Sequence, residues 1–245
     1  MALPRIDTPT YQLTLPSTQE KIDYRPFLVK EQKIIMMAQE SKDVKQIVRS
    51  MTDLISSCTF GKIDISNLPT YDVEYMFLKI RSKSAGETVE LNLICPDDNK
   101  TKVPTKVNLD DIQVQMTVGH SNVIDITDTI QLYLRHPVFS DAMTLDGENT
   151  DSVFKLLNKC IVKIVYGDTE YNKVDISEKD IEEFVDQLNT EQFEKVINFF
   201  NTMPRLRHVV DVTNPKTKVK YPISERKVVT FSPSRIAKKK LNING

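Results

Sequence analysis

Positions that alternate between apolar and polar side chains predict β-strands in three parts of the chain. Residues 11–15 and 21–25 alternate on either side of a short turn and predict an N-terminal β-hairpin. Residues 209–213 and 216–221 flank Asn214-Pro215 and predict a closing hairpin. Between them, a small antiparallel unit is predicted from five further runs, which are 87–95, 102–107, 112–118, 123–126 and 130–134.

Apolar positions three and four residues apart predict helices around these strands. The predicted helices start at Val29 or Lys30, at about Lys42, and at Thr70, Ser177 and Thr190. Thr70 and Thr190 are expected to be N-caps, and Ser177 with Asp180 forms a capping-box pattern. Residues 153–165 continue one apolar face and predict a helix that ends near Gly167.

The predicted fold class is α+β. It has helical groups with an N-terminal β-hairpin, a central small antiparallel β unit, and a C-terminal hairpin followed by a basic tail. Four consecutive regions are expected: 1–83, with the hairpin and helices; 84–147, the β unit; 148–223, helical with the closing hairpin; and 224–245, the extended tail.

The composition favours a protein with a packed core and excludes several functional classes. The 245 residues are 40% apolar and 27% charged, and the formal net charge is −1. No apolar run approaches the roughly 18 residues that span a bilayer. The three cysteines are far apart in sequence, which favours a reducing cytosol as the site of synthesis. The glycines are too scattered to build a phosphate-binding loop, so no cofactor is expected.

Basic residues are concentrated at the C-terminus. From Arg226 onward the chain has six basic residues and no acidic ones, whereas the preceding part carries 27 basic and 34 acidic residues. Such a terminus is typical of a solvated arm that docks on an acidic partner. The candidate residues for this electrostatic arm are Arg235, Lys238, Lys239 and Lys240. Nucleic acid is a less favoured partner, because Phe231 is the tail's one aromatic residue.

The spacing of the candidate residues along the sequence does not match that of a catalytic or metal-binding motif. None of the three histidines, His120, His136 and His208, is spaced from another histidine or from a cysteine as the ligands of a metal site would be. Gly119 and His120 begin half of a nucleophile elbow, but the run lies among predicted strands and is interpreted as a turn. No catalytic, cofactor-binding or metal-ligating residue is predicted.

Ile34, Met36 and Met37 are the candidate partner interface on the first helix. Together with Ile35 and Ala38 they cover nearly every side of one helical turn. A helix that is apolar all round must be covered on several sides, either by its own core or by another chain. The sequence leaves both interpretations open.

Several longer segments carry a resemblance to a known family. They are residues 24–33 (YRPFLVKEQK), 36–40 (MMAQE), 58–62 (CTFGK), 68–83 (LPTYDVEYMFLKIRSK), the Cys95-Pro96 turn and 198–208 (NFFNTMPRLRH). As a set they resemble the baseplate hub protein family of T-even-type contractile-tailed bacteriophages. The resemblance covers roughly residues 3–222, so the basic tail lies outside it.

This resemblance implies a non-enzymatic role in building the tail baseplate hub, in a hetero-oligomeric assembly within the virion. The expected partners are other baseplate hub or tail proteins. The N-terminus is also similar to tail assembly chaperones, which hold the tape-measure protein transiently and are absent from the mature virion. A third hypothesis, a hub-associated hydrolase, would need a pocket gathering residues such as Cys95, His120 and Asp125.

Overall fold

The computed structural model describes residues 6–41, 43–143 and 150–224. It divides into two compact units that interleave along the chain. Unit 1 takes its described residues from Met1–Ile65, Glu74–Gln113 and Leu206–Gly245, and unit 2 takes them from Ser66–Val73 and Val114–Arg205. The four consecutive regions expected from the sequence do not share these limits and stay a prediction.

The elements confirm the α+β class and the N-terminal hairpin. The described helices are α1 (Val29–Ser41), α2 (Val44–Cys58), α3 (Thr70–Ala85), α4 (Phe139–Met143), α5 (Thr150–Cys160), α6 (Glu178–Asp186) and α7 (Thr190–Thr202). The described strands are β1 (Tyr11–Thr14), β2 (Lys21–Tyr24), β3 (Thr88–Ile94), β4 (Lys102–Asn108), β5 (Gln113–Gln115), β6 (Val123–Asp125), β7 (Ile130–Leu134), β8 (Ile161–Tyr166), β9 (Thr169–Asn172), β10 (Arg205–Arg207), β11 (Val209–Thr213) and β12 (Lys220–Ser224).

The strands form small antiparallel sheets within each unit. In unit 1, β1–β2, β3–β4 and β11–β12 are two-stranded hairpins. In unit 2, a four-stranded sheet has the order β6-β7-β8-β9. In the middle third, β3–β4 and β6–β7 pair antiparallel as predicted, but the two pairs belong to different sheets. The strand β7 also pairs with β8, which comes from a later part of the chain.

The helix predicted over residues 153–165 is wrong in its second half. The helix α5 ends at Cys160 and the chain continues at once as β8, which pairs with β7 on one side and β9 on the other. The β-branched residues from Ile161 to Val165 fit a strand as well as a helical face, and pairing on both edges decides in favour of the strand. Gly167 has φ +56° and lies in the two-residue turn between β8 and β9, so it is not a helix C-cap.

Two of the three predicted helix caps are displaced by one residue. The capping box of Ser177 and Asp180 is confirmed. The N-cap of α7 is Asn189, whose side chain accepts from Gln192 N–H in a second capping box, so Thr190 is the first helical residue. Thr70 is likewise the first residue of α3, and the carbonyl of Pro69 accepts the amides of Asp72 and Val73. Asparagine is one of the preferred N-cap residues.

The core of unit 2 lies between its sheet and its helices. The inner face of the sheet and the apolar faces of α5, α6 and α7 contribute the buried residues Ile124, Ile126, Leu132, Leu134, Leu157, Ile161, Ile164, Ile181, Val185, Val196 and Phe199. A smaller cluster in unit 1, formed by Leu93, Cys95 and Val212, joins the β3–β4 and β11–β12 hairpins. All three cysteines are buried and free.

We expect Leu132→Ala to lower the free energy of unfolding by about 3 kcal/mol, because Leu132 is fully buried at the centre of the unit 2 sheet. Val162→Ala is the matched control, since Val162 belongs to β8 but is 43% exposed, and it should cost under about 1 kcal/mol. Urea unfolding of both variants measures the difference. Equal losses for the two variants would contradict this description of the core.

Candidate interaction surfaces and a histidine cluster

The helix α1 is fixed in unit 1 by a buried ion pair at its start. The Arg25 guanidinium lies 2.9 Å from the Glu31 carboxylate, whose side chain is only 6% exposed. The amide of Leu28 donates to the same carboxylate at 2.7 Å. Arg25 also donates to Ser57 Oγ of α2 at 3.0 Å. These bonds join the end of β2, the first turn of α1 and the last turn of α2.

The pKa of Glu31 reflects the strength of these contacts. Burial by itself raises the pKa of this carboxyl group, but the hydrogen bonds from Arg25 and Leu28 outweigh it and lower the pKa to about 2. Glu31 therefore stays ionised at neutral pH. Removing one partner of such a buried pair leaves the other charge uncompensated, which makes the pair a strong positional constraint on α1.

The apolar turn of α1 is divided between core and surface. Ile35 and Ala38 are 1% and 3% exposed, whereas Ile34 is 51% and Met37 is 68% exposed. Met36 is half-buried. Ile34 and Met37 are three residues apart and so are neighbours on one flank of the helix. The core interpretation therefore applies to Ile35 and Ala38, and the exposure needed for an interface is present at Ile34 and Met37.

A shallow cavity of about 260 Å³ lies beside this flank, between α1 and α2. Ile34 and Lys30 line it from α1, and Asp53 and Leu54 line it from α2. The neighbouring part of α2 is also incompletely covered, since Ile47 and Met51 are only half-buried. The two helices thus present a continuous, partly apolar surface with a recess in it. Arg235, Lys238, Lys239 and Lys240 lie outside the described residues.

The structure brings together two histidines that sequence spacing did not connect. His120 Nε2 and His136 Nε2 are 2.9 Å apart in unit 2, and their rings are stacked with centroids 5.1 Å apart. His120 follows Gly119, whose φ of +81° makes the turn, and this confirms the interpretation of that run as a turn. Phe199 of α7 contacts both rings, with centroids 5.0 Å and 5.6 Å away.

The neighbours of the pair determine where its protons lie. The Thr202 hydroxyl donates to the carbonyl of Asn198 at 2.7 Å, so its oxygen accepts from His120 Nδ1–H at 2.9 Å. His120 Nε2 then has a lone pair and accepts from His136 Nε2–H. His136 Nδ1 in turn accepts from the Tyr71 hydroxyl at 3.4 Å. The result is a directed chain of hydrogen bonds in which both imidazoles are neutral.

The electrostatics of the cluster agree with neutral histidines. Burial and the adjacent His120 ring lower the pKa of His136 to about 4. Burial also lowers the pKa of His120, and the side chain of Asn122 partly opposes this. Burial and the neighbouring Asp72 raise the pKa of Tyr71 to about 12. Because neither the sequence spacing nor the element order places these residues together, only the tertiary fold reveals the cluster.

No further side chain completes a reactive site in the described parts of the chain. There, no three His, Cys, Asp or Glu side chains converge as a metal site would require. Asp125 accepts from Gln131 at 2.9 Å on the exposed side of the sheet. Cys95 belongs to the hydrophobic cluster that joins two hairpins of unit 1. None of the described helices is long and apolar enough to cross a membrane.

Unit 2 also contains a larger cavity of about 850 Å³. Its walls carry charges of both signs, and two of them, Arg135 and Asp141, pair with each other at 2.7 Å. Lys173 donates to the carbonyl of Asn158 at 2.9 Å. The mixed lining gives no convergent set of groups for one ion or one bond-breaking step.

Comparison with known proteins identifies the family. The chain belongs to the family described as T4 bacteriophage base plate protein, whose model matches residues 8–231. This confirms the resemblance at the level of the baseplate, and the match extends past residue 222 into the predicted tail. The protein is thus a bacteriophage baseplate structural protein.

Part of the chain is also similar to curated proteins of another kind. The integration host factor α subunits of Rhodopseudomonas palustris (strain BisB18) and Nitrobacter winogradskyi are each 30% identical to it over 95 residues. This similarity covers 36% of the chain, and 88% and 90% of the two relatives. No solved structure matches the chain.

We expect the stability of the protein to fall between pH 6.5 and pH 4 through the histidine cluster. The folded pKa of His136 is about 4 and lies below its ordinary value of 6.5, so the unfolded chain binds more protons in this window. The contribution is therefore complete above pH 6.5 and is lost as the pH falls. The loss at pH 4 has an upper limit of about 3 kcal/mol, because solvent screens the partly exposed ring.

The measurement is urea unfolding at several pH values for the wild type, His136→Asn and the control His208→Gln. His136→Asn should flatten the pH dependence within this window, and His208→Gln should leave it in place. If the free energy of unfolding of His136→Asn depends on pH as strongly as that of the wild type, groups other than His136 cause the pH dependence.

Proposed function

We propose that this protein is a structural subunit of the hub at the centre of the tail baseplate and acts by protein–protein contacts, without catalysis. The observation that carries the proposal is the exposure of Ile34 and Met37 on a helix whose position is fixed by the buried Arg25–Glu31 pair. A rigidly held helix with large exposed apolar side chains is an interface ready for a partner. The hub assignment itself rests on the segments that resemble hub proteins.

The chemistry of the surface indicates the kind of contact. Met36, Met37 and Met51 are flexible and polarisable, so they adapt to a partner surface of irregular shape. The cavity beside Ile34 offers a place for one inserted side chain of the partner. This arrangement fits a permanent, mainly apolar interface with another hub or tail protein in a hetero-oligomeric assembly.

The basic tail adds a second type of contact to this proposal. Arg235, Lys238, Lys239 and Lys240 would act as an electrostatic arm on an acidic protein surface. The protein would be made in the host cytoplasm and end in the virion tail. Nucleic acid remains the less favoured partner of the arm, and neither a membrane nor a cofactor takes part.

The alternative is a transient tail assembly chaperone for the tape-measure protein. Mass spectrometry of purified virions separates the two roles, because a hub subunit remains in the particle and a chaperone leaves. We expect the chain in purified virions in a fixed ratio to the other baseplate proteins. Its absence from virions, together with its presence in tail assembly intermediates, would favour the chaperone.

Substitutions on α1 test the interface directly. We expect Ile34→Lys and Met37→Lys to fold with a stability within about 1 kcal/mol of the wild type, since both side chains are exposed, but to enter baseplates poorly. Ile35→Lys should unfold the isolated protein, because Ile35 is 1% exposed. Circular dichroism and baseplate incorporation are the two measurements.

Gln32→Lys is the matched control, since it adds the same charge to an exposed position on a different side of α1. It should leave both folding and incorporation unchanged. If it blocks incorporation as strongly as Met37→Lys, the effect is one of charge, and the apolar contact is disproved. If Met37→Lys unfolds the isolated protein, Met37 is part of the core and is not an interface residue.

A further inference from the structure

Two turns of unit 1 are held together at one end of neighbouring hairpins. The β3–β4 turn presents Asp97, whose carboxylate accepts two hydrogen bonds of 2.9 Å from the side-chain amide of Asn214 in the β11–β12 turn. The Thr217 hydroxyl donates to the same carboxylate. Asn214 is fully buried, and the cluster of Leu93, Cys95 and Val212 packs the two hairpins beneath these bonds. The joined turns are therefore a rigid platform.

This platform carries a group of exposed lysines, here called the tip lysines: Lys100, Lys102, Lys216 and Lys218. Lys100, Lys216 and Lys218 lie in the two turns, and Lys102 is the first residue of β4. The nearby Lys220 pairs with Asp211 at 2.7 Å. By contrast, the tip lysines have no ion-pair partner among the residues that the structure describes.

The backbone of Lys218 shows that the turn does not itself favour a lysine. Its φ is +64°, in the left-handed region where glycine is unstrained and a side chain is disfavoured. The β1–β2 turn has the same hydrogen-bond pattern, and Gln19 occupies the equivalent position with φ +60°. A long charged side chain at such a position opposes local stability, and backbone outliers of this kind are common at functional sites.

We propose that the tip lysines are a docking surface for an acidic surface of another baseplate protein. The proposal rests on the proposed function of this chain as a baseplate subunit and adds a second contact on unit 1. Ammonium groups held on a rigid platform lose little conformational entropy when they bind carboxylates. Their fixed arrangement favours a partner whose carboxylates have a complementary arrangement.

The carboxylates of the same turns favour a protein over a nucleic acid. Hydrogen bonds from Thr217 and Asn214 lower the pKa of Asp97, and those from Thr101 lower the pKa of Asp98. Both groups are therefore negative beside the lysines. A phosphate backbone presents one sign only and is repelled by them, whereas a protein surface can pair with lysines and avoid these two positions.

The test is carbodiimide cross-linking of purified baseplates, followed by mass spectrometry. The reagent joins an ammonium group to a carboxylate only where the two are in direct contact. We expect cross-links from the tip lysines to Asp or Glu residues of another baseplate protein, and reduced acetylation of these lysines in baseplates compared with the isolated chain. Lys106, which pairs with Glu90 on the β3–β4 hairpin, is an internal reference for the reagent.

Two variants measure the contribution of the lysines in competition with the wild-type chain for incorporation. The combined variant Lys100→Gln, Lys216→Gln and Lys218→Gln should be incorporated roughly tenfold less well, given two- to fivefold for each exposed ion pair. Lys218→Gly should raise the melting temperature by relieving the left-handed backbone and yet lower incorporation. Gln19→Gly is the control. It should relieve the left-handed backbone of the β1–β2 turn in the same way and leave incorporation into baseplates unchanged.

The outcomes distinguish this inference from the proposed function. Absence of the chain from baseplates would overturn the proposed function. Its presence with tip lysines that stay fully acetylated and form no cross-links would overturn only the docking surface. If nuclease treatment of the baseplates removed the protection of the tip lysines from acetylation, their partner would be a nucleic acid. That result would also overturn the docking surface proposed here.

Discussion

The Glu31 carboxylate, buried against Arg25, is the constraint on which the N-terminal half of unit 1 depends. Through it, the first turn of α1 is tied to the end of β2 and, by way of Ser57, to the last turn of α2. Two further bonds continue this attachment, since Arg25 N–H donates to the carbonyl of Cys58 and Phe27 N–H donates to Ser84 of α3. Because the ion pair orients α1, it decides which of the consecutive apolar residues face inward. Ile35 and Ala38 enter the core, and Ile34 and Met37 are left at the surface as a consequence.

How much of this could be predicted from sequence depends on whether the deciding contacts are local. The N-terminal hairpin and the capping box of Ser177 depend on neighbouring residues, and both were predicted correctly. The apolar spacing of residues 161–165 continues that of α5 and predicts a helix. Only the pairing with β7 and β9 makes these residues a strand. The turn at Gly167-Asp168 between two β-rich runs was the local signal that could have corrected this. The sequence also does not predict which side of α1 faces the core. That orientation depends on the ion pair between Arg25 and Glu31, which are six residues apart.

The histidine cluster shows the same limit for chemistry. His120 and His136 are separated by 16 residues, and Thr202 and Tyr71 come from opposite ends of unit 2 in the sequence. Each has an ordinary local pattern, and their directed chain of hydrogen bonds exists only in the folded protein. Its effect is to keep two imidazoles neutral and stacked on Phe199, which stabilises the junction of α7 with the loop before β6 at neutral pH. The cluster therefore contributes to packing, and among the described residues no further His, Cys, Asp or Glu side chain joins it to form a metal site.

The two surfaces of unit 1 differ in physical character, and that difference suits an assembly protein. The proposed α1–α2 interface is partly apolar and contains methionines, so in this proposal it would gain binding free energy from burial and tolerate small changes in the shape of its partner. The joined turns carry fixed charges on a rigid base, which contribute little net affinity in water but disfavour wrong partners and wrong registers strongly. An apolar surface alone would also bind nonspecifically, and a charged one alone would bind weakly. A subunit that must join one position in a multi-protein machine needs both properties.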